Sequence, residues 1–318
     1  MKFLAVLAAV VVGCSSWGAE TGDVYTNFID GVRVIHAYKP HKSLEYGIPS
    51  TNVDTIIERD GYAVGYSNKY RQPLWTVYRL TDDLVVSVVA KRKNDFRKDP
   101  LVEESASPND YTGTDYDKGH MVPAADMSYS AWTMSESFLM SNMCPQLDYL
   151  NRTDWRFLEA WVRKQAIAEE AITVVTGPMF FVSNKPPEYI GLLNKVRVPD
   201  AFYKVILDET PPCKIIAYVY FNDAKMTLED KEEEETKPVD ISHIVDESVT
   251  ASCPVRYVKP MTPELLRHAL KLDGPVEVKH WIGADINWIE RATGITFFSK
   301  FPNIENIKAI STPSMWSD

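Results

Sequence analysis

Apolar positions along this chain fall into short runs separated by polar, turn-forming stretches. Runs rich in Val, Tyr and Trp at Tyr62–Tyr66, Leu74–Leu80 and Leu84–Ala90 predict strands. Ile172–Thr176, Tyr203–Leu207 and Lys214–Phe221 read the same way. Helical patterning predicts a short helix at Trp132–Leu139 and a longer one to about Glu170, which Thr153 or Asp154 can cap. Pro263 suits the first turn of a helix ending at Leu272, and Gly294 stops another over Ile286–Ala292. Residues 20–43 are polar and aromatic without strong periodicity and read as an N-terminal extension, with structure starting near Leu44. Residues 228–237, with their Glu232–Glu235 run, read as a solvated loop. Strands and helices come in blocks rather than in strict alternation, and no internal repeat is present. The pattern predicts one α+β domain over 44–300 and a C-terminal tail over 301–318.

One apolar run stands apart. Phe3–Val12 follows Lys2, is too short to span a bilayer comfortably, and reads as an export signal within residues 1–19. Two processing routes stay open. Val11-Val12-Gly13-Cys14 resembles a bacterial lipoprotein box, which would lipidate Cys14 and attach the chain to a membrane. Ordinary cleavage near Gly18 would release it. The expectation is an exported protein, secreted or periplasmic, or else a membrane-anchored lipoprotein. Removing the signal leaves Cys144, Cys213 and Cys253, an odd set without zinc-site spacing. Either Cys213 pairs with Cys253 or all three remain thiols.

Composition adds little until charge is considered. With 318 residues, 45% hydrophobic and 25% charged, the chain can build an ordinary core. Its formal net charge of −10 argues against non-specific coating of nucleic acid, yet a local basic strip can still steer a polyanion. The densest such strip is Lys91-Arg92-Lys93 followed by Arg97-Lys98. Met121, Met127, Met134, Met140 and Met143 read as core filler, and His36, His41, His243, His268 and His280 as structural.

The stretch that carries chemistry is Tyr116-Asp117-Lys118-Gly119-His120-Met121-Val122-Pro123-Ala124-Ala125-Asp126. A phosphodiester resists water because its anionic oxygens repel the nucleophile and the departing alkoxide is a poor leaving group. Hydrolysis needs a base, positive charge on the phosphate, and a proton or cation for the leaving oxygen. His120 can be the base, and Gly119 would let a phosphate approach the backbone. Asn151 offers a neutral amide oxygen, which suits magnesium with its retained waters. Asn151, Trp155, Glu159 and Arg163 recur every four residues, so one helix would aim Asn151 and Glu159 into the same cleft. Taken singly, each residue also has a bland reading. Asn151 could simply cap a helix, and Glu159 with Arg163 could be a surface ion pair.

Together these residues resemble the DNA/RNA non-specific endonuclease family of the ββα-metal superfamily. The signature is similar at Asp117-Lys118-Gly119-His120-Met121 with Ala125, at Ser141-Asn142 with Pro145-Gln146, and at Leu150-Asn151, Trp155 and Leu158-Glu159. Gly177-Pro178 after a strand, and Ile289-Glu290 through Gly294-Ile295 to Phe297-Phe298, fit as well, so the likeness runs over about 44–298. The resemblance implies a central, mainly antiparallel sheet flanked by helices, with a β-hairpin carrying His120 before a helix carrying Asn151. It implies His120 as general base, Asn151 as direct ligand of magnesium (manganese being the other candidate), and Glu159 ordering the metal's waters. Asn142 would support the site, Arg163 would lie beside the scissile phosphate, and DNA and RNA would be cut to 5′-phosphates. Lys91, Arg92, Lys93 and Arg97 are the expected substrate-binding strip. Lys118 stands where the family usually has arginine; lysine is a point charge rather than a two-pronged donor, so reduced or more pH-sensitive activity is expected. A degenerate nuclease fold that only binds, and a phosphodiesterase for small diesters, are the competing readings. Retention of His120, Asn151 and Glu159 speaks against the first.

Overall fold

The computed structural model describes residues 24–36, 42–181, 186–193, 195–223, 282–283, 285–311 and 315. The expected export signal with Cys14, the loop expected at 228–237, Cys253, the helix expected at 263–272, and His41, His243, His268 and His280 lie outside them.

The chain first forms a hairpin, β1 (Tyr25–Ile29) and β2 (Val32–His36), where an extension without regular structure was expected. Asp30-Gly31 makes the two-residue turn, with φ of 49° and 82°. Asp-Gly tolerates this left-handed pair, which matches the twist of the flanking strands. Next come β3 (Thr55–Glu58), β4 (Ala63–Ser67) and β5 (Gln72–Thr81). The expected strand at 84–90 is instead the short helix α1 (Asp82–Val86) followed by irregular chain. Thr81 Oγ1 caps it by accepting from Leu84 N, and Asp82 and Asp83 sit in its first turn. Local capping overrode the β-propensity of the valines.

A hairpin of β6 (Tyr116–His120) and β7 (Met143–Leu147) follows, with α2 (Ala131–Glu136) in the connection. Then come α3 (Asp148–Arg152), α4 (Asp154–Ala168) and β8 (Ala171–Met179). The small pair β9 (Tyr189–Ile190) and β10 (Val196–Arg197) precedes β11 (Ala201–Asp208) and β12 (Lys214–Phe221). The described chain ends with β13 (Ile282–Gly283), α5 (Ile286–Thr293) and α6 (Ile304–Ile310). Gly294 closes α5 in the left-handed region, as its position predicted.

Nine strands form the main sheet in the order β1-β2-β3-β4-β5-β8-β11-β12-β13, antiparallel except for the β2–β3 pair. Alternation along β11 shows how both faces are covered. Ala201, Tyr203, Val205 and Leu207 enter a core with Ile286, Ile289 and Phe297. Phe202 and Ile206 enter a second core with Trp155, Leu158, Val162 and Ala166 of α4. The predicted methionines are all buried. Ile304 and Ile307 of α6 join the first core, so the expected tail contributes to the same packing as the domain.

Candidate active site

His120 ends β6 and is 7% exposed. Its ring meets Phe138 at 5.0 Å, edge to face, and Phe96 at 5.6 Å. Trp155 Nε1 of α4 donates to the His120 carbonyl at 3.3 Å, tying helix to hairpin. Burial, with the positive charge of Arg92, pulls the imidazole down to about 3. The ring is therefore neutral near pH 7. Its Nε2 is buried with no hydrogen-bond partner within the protein. A buried ring nitrogen left unmatched inside a packed aromatic box is uncommon and points to a partner supplied from outside the fold.

Asn142 clamps the chain just beyond His120. Its Oδ1 accepts from Val122 N at 2.9 Å, and its Nδ2 donates to the carbonyls of Val122 and Ser137 at 2.9 Å each. Its amide is thus spent on backbone, holding the chain that follows His120. Gly119 also differs from expectation. Its open side faces Gln146 of β7, whose side chain fills the space reserved above for a phosphate; a Cβ there would lie 2.6 Å from Gln146 Cβ. Gln146 is itself buried, with neither amide atom hydrogen-bonded within the protein.

Asn151 lies on α3, not on the long helix. Thr153, at φ −115° and ψ −94°, breaks the axis, and its hydroxyl bonds back to Tyr149 O at 2.6 Å instead of capping α4. The single four-residue stripe from Asn151 to Arg163 therefore does not exist. Asp117, three residues before His120, does the alignment instead. It accepts from Asn151 Nδ2 at 2.9 Å and from Arg152 Nε and NH2 at 2.9 and 2.8 Å. Burial pushes the Asp117 carboxyl up, but these hydrogen bonds and the neighbouring charge outweigh it and hold it below the usual range. Because the Asn151 nitrogen faces Asp117, the amide oxygen is the atom turned elsewhere.

Glu159 stands on α4, half-buried, in a cluster of charges. Burial pushes its carboxyl up to about 7, against the pull of Lys204, with Asp126 raising it further and Arg163 and Arg92 lowering it. Arg163 NH1 pairs with Asp126 Oδ1 at 2.8 Å. Tyr78 Oη donates to Asp126 Oδ2 at 2.8 Å. Beneath them lies Lys204 of β11, fully buried, donating from Nζ to Thr176 Oγ1 at 2.8 Å and standing 4.8 Å from the centre of the Trp155 ring. Burial pulls its ammonium down to about 8, with Glu159 and Asp126 opposing. Two carboxylates and two cations thus face one another under α4.

The residues predicted to bind substrate separate. Lys91, Arg92 and Lys93 are exposed. The Arg92 guanidinium lies 5.1 Å over the Phe138 ring and so abuts the His120 box. Arg97 NH1 is committed to Asp95 and to the Ser135 carbonyl, holding the loop rather than presenting that donor. Lys118 Nζ rests over Phe96 at 5.3 Å and Tyr111 at 5.7 Å.

Sequence reasoning quoted Asp126 but gave it no role, and it passed over Lys204, Tyr78 and Asp117's bond to Asn151. A signal for Lys204 was present, since it is the one charged residue in the run Phe202–Leu207, on the face shared by Phe202 and Ile206. Among the described residues, no group of three His, Cys, Asp or Glu could hold a metal. A cation here would take few protein ligands and keep waters, which suits a hard ion on the Asn151 oxygen with Glu159 beyond it. Cys144 is buried and Cys213 half-buried, both as thiols.

Residues 39–251 match the DNA/RNA non-specific endonuclease family. Nuclease 1, mitochondrial, of Schizosaccharomyces pombe is 33% identical over 209 residues, 60% of this chain and 65% of the relative. Endonuclease G, mitochondrial, of Homo sapiens is 31% identical over 174 residues, 52% of this chain and 58% of the relative. The chain therefore spans less than two thirds of either relative's length. A chain of the solved EndoG/EndoGI complex superposes with a TM-score of 0.60 at 24% identity, covering 83% of this chain and 94% of that one. That likeness is of fold, and the expected α+β, ββα-metal architecture holds.

Proposed function

The chain belongs to the DNA/RNA non-specific endonuclease family, and from that premise we propose that it is a metal-dependent endonuclease cutting DNA and RNA to 5′-phosphate ends. The observation that carries the reading is the buried, unmatched Nε2 of neutral His120, on the same strand as the Asp117 that takes the Asn151 nitrogen and turns its oxygen elsewhere.

The chemistry follows from those two atoms. Water attacks phosphorus in line, and His120 Nε2 takes its proton as the new P–O bond forms. The bond to the 3′ oxygen breaks, and that oxygen takes a proton from water and leaves as a hydroxyl. A divalent cation, magnesium or manganese, would supply positive charge to the phosphate and the leaving oxygen. The Asn151 oxygen would hold it directly and Glu159 through its waters. The substrate's negative charge stabilises the imidazolium, so the pKa of His120 rises on binding and the proton transfer becomes favourable. Arg163 is held in place by Asp126 and meets the phosphate with the donors left over. Lys118, released from its aromatic rings, neutralises a phosphate oxygen.

The export signal in residues 1–19 fits a role outside the cytoplasm, with Cys14 as the point of membrane attachment if the lipoprotein route is used. The enzyme reading is tested by incubating the protein with supercoiled plasmid and with structured RNA, in magnesium and then in EDTA. Magnesium-dependent cutting of both, lost in His120→Ala, supports it; no cutting by folded wild type in any divalent cation overturns it.

A further inference from the structure

A groove of about 670 Å³ opens beside the site, between the segment after α1 and the outer face of α4. Val85 and Val88 form one wall and Ile167 lies on the other. Val88 is 72% exposed and Ile167 50%, an unusual concession to solvent for side chains that share one concavity. Among smaller neutral side chains, the lining also carries four cations: Lys91, Arg92, Arg163 and Lys164. Four positive side chains around one apolar groove reverse the local sign of a chain whose net charge is −10.

The groove adjoins the proposed reacting centre through shared side chains. Arg163 lines it while pairing with Asp126, and Arg92 lines it while lying over Phe138, whose ring touches that of His120. A ligand in the groove is therefore linked to His120 through two side chains, Arg92 and Phe138.

We propose that this groove takes the base and sugar of a nucleotide flanking the scissile phosphate, with Lys91, Arg92 and Lys164 on the adjoining phosphates. The proposal rests on the nuclease reading and adds the place where one strand is gripped. An apolar slot of a few hundred Å³ with a cationic rim matches a nucleotide, which joins an apolar-faced disc to a negative charge. A base can enter only when unstacked from its neighbours, so the groove favours single strands and frayed ends over intact duplex.

The test uses the full chain carrying His120→Ala, in EDTA, with a labelled single-stranded oligonucleotide read by fluorescence anisotropy. Ala160→Trp fills the groove from the exposed side of α4, and Val88→Asp adds a repelling charge on its opposite wall. Each variant is expected to raise Kd roughly tenfold or more, with far-UV circular dichroism unaltered. In the cleaving enzyme, the ratio of kcat/KM on the oligonucleotide to kcat/KM on bis(p-nitrophenyl) phosphate, which carries neither base nor sugar, should fall by a similar factor. An unchanged Kd in both variants overturns the proposal. So does an equal loss on both substrates, or light scattering that shows a dimer split by Ala160→Trp, which would make the groove a contact between copies. If wild type cleaves neither substrate, the nuclease reading fails, while the anisotropy still decides the groove.

Discussion

Removing the Asp126 carboxylate should unseat Arg163 and cost the fold a measurable amount. Asp126 is 1% exposed and accepts two hydrogen bonds of 2.8 Å, from Arg163 NH1 and Tyr78 Oη. Hydrogen bonds to charged groups contribute about 1.5–3 kcal/mol each. Breaking a buried pair from one side typically costs about 3–5 kcal/mol, because the other charge is stranded. The Arg163 side chain is 24% exposed, so water recovers part of the loss and the low end applies, about 3 kcal/mol. In Asp126→Ala this corresponds to a Tm drop of about 6–12 °C. Urea unfolding at pH 7 in EDTA gives the number directly, and Asp126→Ala with Arg163→Met closes a double-mutant cycle. The double variant should cost at least about 1 kcal/mol less than the two single losses added together. A loss under about 1 kcal/mol in Asp126→Ala, or simple additivity, would refute the claim that the pair works as a unit.

Three further outcomes follow from the same geometry. Because the folded-state pKa of His120 lies near 3, below its ordinary value, its contribution to stability is complete above about pH 6.5 and is lost as pH falls toward 3. His120→Phe, which keeps the ring packing and cannot titrate, should lose about 2 kcal/mol less than wild type between pH 7 and pH 5 in urea melts; parallel losses would contradict this. Gly119→Ala forces a Cβ against Gln146 and should destabilise by about 1–3 kcal/mol, so a neutral result would mean that Gln146 moves aside freely. Lys118→Arg should raise kcat/KM on nucleic acid several-fold through two-pronged contact with phosphate, and Lys118→Met should lower it; an unchanged rate in both would remove Lys118 from the site.

What the sequence revealed depends on how local each cause is. The strands of the sheet could be read because β5, β8, β11 and β12 are long enough to show their apolar character. The 25–36 hairpin was missed although Asp30-Gly31 is a strong turn signal, because the strands around it are half-exposed and carry little alternation. The Val-rich segment at 84–90 misled because propensity was weighed ahead of the Thr81-Asp82-Asp83 start signal. His120, Asn151 and Glu159 were singled out through motif spacing, but the contacts around them were not legible. Those contacts join distant segments: Asp117 to Asn151, Trp155 to the His120 carbonyl, and Lys204 to the charge of Glu159. The break at Thr153 was signalled by the capping residues Thr153 and Asp154, but the four-residue recurrence from Asn151 to Arg163 was weighed ahead of it.

The central claim is that His120 removes a proton from the attacking water, and chemical rescue addresses it most directly. His120→Gly should lose single-turnover cleavage of a short DNA and regain it in proportion to added imidazole, along a pH profile that follows neutral imidazole, whereas Asn151→Ala should show no such recovery. A folded His120→Gly protein that still binds DNA but gains nothing from imidazole, or that cleaves at the wild-type rate without it, would contradict the account.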